Sequence, residues 1–133
     1  MADPYPTCWL NGEYLPLAAA RISPLDRGFL FADGAYEVVP VHRGRPFRMR
    51  QHLERFDRSL RELRIRNPLP LAGWTDVTNT LVTAASATEL LVYLQVVRPV
   101  EGTAGAASFG TDQAVSMTVW FVLSLSFLTG CAQ

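Results

Sequence analysis

Apolar residues flank an Asn-Gly pair near the start of the chain, in Trp9-Leu10-Asn11-Gly12-Glu13-Tyr14-Leu15. Such a pair between apolar flanks predicts two short strands joined by a type I′ turn, because both central residues of that turn need positive φ. A polar stretch punctuated by glycines, 26–34, reads as a loop. The positions 35–42 then read as a strand rich in Val and Tyr, in which Pro40 points to an edge or a bulge. Arg43-Gly44 turns the chain back toward Pro46-Phe47. From 50 to 65 the apolar spacing becomes helical, with Leu53, Phe56, Leu60 and Leu63 on one stripe and Glu54/Arg58, Asp57/Arg61 and Arg58/Glu62 as candidate i,i+4 pairs outside it. Pro68 and Pro70 interrupt the chain, Trp74, Val77, Leu81 and Val82 mark a second helix, and Leu90 to Val97 reads as a strand. The pattern as a whole is α+β, an antiparallel sheet with two helices.

Charge changes this picture in one place. Twelve basic and twelve acidic residues cancel, and 22 of these 24 lie in residues 1–98, leaving Glu101 and Asp112 for the last 35. A neutral total gives no electrostatic case for nucleic acid or an anionic membrane surface. After Arg98 come a small-residue stretch at 101–110 and an apolar run at 117–128. The body is therefore taken as 1–98 and the tail as 99–133. The run is open to three readings: a membrane helix, for which it is short and lacks basic anchors; a buried strand; or a tail unrelated to the body, such as one translated out of frame.

The twelve basic residues are all arginine, so no lysine amine is present for covalent catalysis. Cys8 and Cys131 lie near opposite ends and form neither a metal cluster nor a disulfide framework. With no basic-then-apolar segment at the N-terminus, the expected location is the cytoplasm. No residue set carries a metal-ligand spacing, and His42 and His52 read as surface or helix-flank residues.

Among candidate functional side chains, Arg55 has no carboxylate within reach on its own helix: its neighbours at i±3 and i±4 are His52, Arg58, Gln51 and Ser59. A guanidinium so placed suits an external anion such as phosphate, or it pairs with a distant carboxylate. Tyr36, at the start of the strand 35–42, faces either a cleft near the loop or an ordinary half-buried surface. Glu37 points to the opposite face by strand alternation and is expected to pair with an arginine.

Several runs together carry a family resemblance: Arg21-Ile22-Ser23-Pro24-Leu25-Asp26-Arg27-Gly28-Phe29-Leu30-Phe31, Asp33-Gly34-Ala35-Tyr36-Glu37-Val38, Gly44-Arg45-Pro46-Phe47, His52-Leu53-Glu54-Arg55-Phe56 and Leu90-Leu91-Val92-Tyr93-Leu94-Gln95-Val96. The body resembles the N-terminal domain of the fold-type IV, pyridoxal-phosphate-dependent aminotransferases, and looks most like the D-amino acid aminotransferase branch. The resemblance implies that Arg55 binds the cofactor phosphate, that Tyr36 lines the substrate pocket and that Val38 neighbours it. It also implies pyridoxal phosphate as cofactor, an amino acid and a 2-oxo acid as substrates, and a homodimer. Ala32 stands where the family has glycine, and around Thr103 to Gly105 there is no arginine-any-histidine segment. Without a lysine, and without the second domain of such enzymes, this chain is expected to be inactive alone, with no catalytic residue of its own. The competing expectation is a non-catalytic module that dimerises or binds a phosphate-bearing ligand through Arg55.

Overall fold

The computed structural model describes residues 7–98, together with the backbone of 116–119 and 122–124. Cys131, the stretch 101–110 and the positions 103–105 lie outside the described residues. The first hairpin forms as its Asn-Gly pair dictates: β1 (Thr7–Leu10) runs antiparallel to β2 (Glu13–Pro16), with φ of 49° at Asn11 and 98° at Gly12. A 3₁₀ turn, Leu17–Ala19, follows. The stretch 26–34, expected as a loop, contains a short helix α1 (Arg27–Phe31). Asp26 supplies the missing start signal, its carboxylate accepting the N–H groups of Gly28 at 2.8 Å and Phe29 at 3.2 Å.

The central strand β3 (Gly34–His42) pairs with the whole of β5 (Leu90–Val97), from Gly34 opposite Val97 to Val41 opposite Leu90. Pro40 interrupts nothing. Its carbonyl accepts the Phe47 N–H at 2.7 Å, on the side of the short β4 (Arg45–Pro46), so the missing N–H also lies on that side and the ladder to β5 keeps its bonds. Two further strands, β6 (Ser116–Val119) and β7 (Val122–Ser124), pair with β5, and β6 also pairs with β1. The sheet order is β2-β1-β6-β5-β3-β4, with β7 beside β5, and every described pairing is antiparallel. Within the run 117–128, residues 117–119 and 122–124 take strand backbone. No described helix is long and apolar enough to cross a membrane.

Helices α2 (Met49–Glu62) and α3 (Leu71–Ala85) bury their apolar stripes against one sheet face. Leu53, Phe56 and Leu60 of α2 meet Trp74, Val77 and Leu81 of α3 over Val39, Val41, Val92 and Leu94. Leu63, placed on the stripe by spacing, is exposed. The helix stops first: Arg64 takes φ 55°, its N–H bonding the Arg61 carbonyl and the Ile65 N–H bonding the Leu60 carbonyl. This αL termination returns Ile65, not Leu63, to the core. On the outer face Asp57 pairs with Arg61 at 3.1 Å, whereas Glu54 meets Arg50 at 3.8 Å in place of the expected Arg58.

Ala32 ends α1 with φ 52° and ψ 31°. A Cβ in this left-handed conformation crowds the following carbonyl, at a cost of about 1 kcal/mol relative to glycine. Ala32→Gly is expected to raise Tm by roughly 4 °C; a calorimetric scan showing no gain would remove the strain.

Candidate cofactor-phosphate and substrate site

Strand alternation sorts the candidate residues onto two faces. Tyr36 and Val38 share the face opposite the helices, while Glu37, Val39 and Val41 point into the core. Tyr36 is 64 % exposed and stacks on Tyr93 of β5, with ring centroids 5.3 Å apart and planes within 12°. Val38 lies directly opposite Tyr93 in the β3–β5 register. Sequence reasoning did not single out Tyr93 as a site residue, because only strand pairing reveals its position across the ladder. Its hydroxyl is pushed above the ordinary tyrosine range, first by burial and then by Tyr36.

Arg55 projects from α2 toward the other face. The distant carboxylate it meets is Glu37: Arg55 Nε donates to Oε2 at 2.7 Å and Nη2 to Oε1 at 2.6 Å. The arginine expected as partner of Glu37 is Arg55, and of the alternatives open for Arg55 the structure shows the pair with a distant carboxylate. His52, expected at the surface or helix flank, turns inward one helical turn earlier, with a side chain 17 % exposed. Its Nδ1 lies 3.0 Å from Glu37 Oε1, and since a carboxylate only accepts, that nitrogen carries the hydrogen. The Val38 N–H adds a third donor to Oε1 at 3.1 Å. His42 is exposed as expected and pairs with Glu89 at 2.7 Å.

Electrostatics in the cluster are decided by competition. Burial, the largest single influence on Glu37, pushes its carboxyl up; hydrogen bonds from Arg55, His52 and the Val38 N–H together outweigh it and hold the group below the ordinary carboxylate range. Glu37 in turn raises the Arg55 guanidinium, which stays charged. The arginine is nonetheless well exposed, and its Nη1 has no partner among the described residues. The Nη1 donors are therefore available to an external oxyanion, while Nη2 is engaged by Glu37 and lies 3.4 Å from His52 Nδ1. No cluster of metal-ligating side chains occurs among the described residues.

A second ionic assembly fixes the loop that leads into β3. Asp33 accepts Arg27 Nε at 2.7 Å and Arg98 Nε at 2.9 Å. Arg98 also donates to the Leu63 carbonyl at 2.8 Å and the Arg64 carbonyl at 3.3 Å, closing the C-terminus of α2. The Arg98 hydrogen bond, opposed by burial and helped by Arg27, lowers the Asp33 carboxyl.

Because Asp33 and Glu37 are both depressed in the folded chain, they bind fewer protons there than when unfolded. Their stabilisation is complete above the ordinary carboxylate range and is lost as pH falls through their folded values. Urea midpoints measured from pH 7 to pH 3 should therefore fall on acidification, and less steeply in Glu37→Gln; an unchanged slope in that variant would contradict the assignment.

The architecture is thus an antiparallel sheet covered on one face by two helices, with Arg55 of α2 held against the strand that carries Tyr36. Residues 34–127 match the family model described as amino-transferase class IV, and the chain belongs to that family. A D-alanine aminotransferase from Staphylococcus aureus strain MSSA476 is 33 % identical over 92 residues, covering 69 % of this chain and 33 % of that protein. The chain thus spans about a third of the length of the curated relatives it matches. Among solved structures, a fold IV-transaminase from Curtobacterium pusillum aligns with TM-score 0.66 at 23 % identity, covering 81 % of this chain and 36 % of that one. A hypothetical aminotransferase from Mycobacterium tuberculosis in its PLP-bound form aligns with TM-score 0.72 at 23 % identity, over 89 % of this chain and 39 % of that one. These structural likenesses establish the fold.

Proposed function

We propose that this chain is the small-domain portion of a D-amino acid aminotransferase-type protein, in which Arg55 holds the phosphate of pyridoxal phosphate and Tyr36 and Val38 line the substrate pocket. The observation that carries the reading is an arginine fixed by a buried carboxylate, with an Nη1 edge that no described residue occupies. The residues present fit the phosphate end of the cofactor; they do not fit its covalent attachment, since the 133 residues contain no lysine. When bound, the cofactor supplies the electron sink for amino-group transfer between an amino acid and a 2-oxo acid. Arg55 binds and orients its phosphate, Glu37 sets the arginine, and the Tyr36–Tyr93 stack walls the open sheet face. This chain by itself is expected not to transaminate, because no lysine amine is present to tether the cofactor or move its proton.

The test combines two measurements on the full chain. Titration with pyridoxal phosphate should show saturable binding that is lost in Arg55→Gln, while D-alanine with 2-oxoglutarate should give no turnover above the cofactor-only control. Unsaturable binding refutes the Arg55 assignment, and an enzymic rate refutes the inactivity.

A second reading, a homodimeric module without catalysis, is favoured by a specific surface. Leu25, Phe29, Leu30, Phe31 and Tyr36 are all exposed within a dozen residues of one another in the chain. We take these exposed apolar side chains as the candidate dimer surface, and sedimentation velocity showing a monomer at micromolar concentration would argue against it. The boundary at residue 98 is also proposed. An out-of-frame tail is supported by the change in charge, and an in-frame one by β6 and β7 in the sheet and the family match to residue 127. Resequencing the codons after Arg98 separates them.

A further inference from the structure

Arg55 is held by a device built for orientation. Two of its hydrogens, on Nε and Nη2, go to the two oxygens of Glu37, a carboxylate only 6 % exposed. That carboxylate is itself fixed by His52 at 3.0 Å and the Val38 N–H at 3.1 Å. Glu37 stands on β3, within the ladder that pairs Gly34 to Val41 with β5. The guanidinium is therefore registered against the sheet as well as carried by its helix. Its Nη2 also lies 3.4 Å from His52 Nδ1, so the donors without a partner among the described residues are those on Nη1.

We propose that Glu37, backed by His52, is a positioning residue for oxyanion capture by Arg55. The inference rests on the reading of Arg55 as the phosphate-binding residue. An unheld arginine gives up rotamer freedom when it closes on an anion, and a held one has surrendered it in folding. The arrangement places a negative charge near an anion site, so orientation and charge act with opposite signs on affinity.

That opposition makes the role measurable with inorganic phosphate as the probe. Glu37→Gln keeps the reach and removes the charge; Glu37→Asp keeps the charge and retracts it by one methylene. If Glu37 acted by charge alone, Gln would tighten phosphate binding and Asp would leave it unchanged. Positioning predicts that both weaken it, by roughly three- to tenfold at pH 7. Binding in Glu37→Gln as tight as wild type or tighter overturns the proposal.

The wild-type chain offers a check that needs no variant to fold. In the NMR spectrum the Arg55 Nε–H should be protected from exchange and hold its position as phosphate saturates, while the Nη signals move. Loss of that protection on adding phosphate would mean that the anion displaces Glu37, and would overturn the proposal. The outcomes separate from those of the parent reading. No phosphate binding by the wild type, or undiminished binding by Arg55→Gln, brings down the Arg55 assignment and the positioning role together. Binding that Arg55→Gln abolishes but Glu37→Gln does not weaken brings down the positioning role alone.

Discussion

Trp74→Ala is expected to destabilise the chain by about 4 kcal/mol, the range of large aromatic deletions from a closed core. The indole is fully buried and meets three elements at once. Its ring lies 5.4 Å from Phe56 of α2 and 6.3 Å from Trp9 of the first hairpin, both edge-on, and its Nε1 donates to the Asn67 side chain at 2.8 Å. Deletion leaves a cavity that no single element can close, because collapse toward either neighbour opens a gap at the other. Asn67 also loses its donor. Since domains of this size are stable by only roughly 5–15 kcal/mol, such a loss is a large share of the total. Urea unfolding followed by the remaining tryptophans measures it; a loss below about 1.5 kcal/mol would show that the three elements do not share one core.

Gly34→Ala is expected to cost about 3 kcal/mol and to weaken phosphate binding with it. A Cβ built at Gly34 would lie 2.5 Å from the Val96 carbonyl oxygen and 3.0 Å from the Val97 Cα. Those are backbone atoms of the paired strand, which a rotamer change cannot move aside. Relief requires β3 to part from β5 at its first residues, three positions before Glu37. Tyr36 would then lose its register against Tyr93, and Glu37 its placement beneath Arg55. The joint effect separates this variant from Trp74→Ala, which acts on the core behind the site. A folded Gly34→Ala chain with wild-type affinity for phosphate would show that the start of β3 does not position the cluster.

What the chain determines by itself is local. Asn11-Gly12 sets the first hairpin because few other residue pairs accept two positive φ angles. The spacing of Leu53, Phe56 and Leu60 sets α2 and the face it buries. Alternation separates Tyr36 and Val38 from Glu37, and the absence of lysine bounds the chemistry before any fold is known. Where local expectation and structure part, a hydrogen bond decides: Asp26 caps a helix within an expected loop, and Arg64 takes the left-handed conformation that buries Ile65 instead of Leu63.

The rest required distant parts of the chain to meet. Glu37 and Arg55 are 18 residues apart, and Asp33 and Arg98 are 65 apart. A charge pattern can show that Arg55 lacks a partner on its helix, but only the packing of α2 against β3 supplies one. The Tyr36–Tyr93 stack depends likewise on the register of β3 with β5. The physical reason is one of range. Propensity, capping and periodicity act within a few residues, whereas an ion pair with a buried carboxylate forms only where tertiary packing brings two distant charges together.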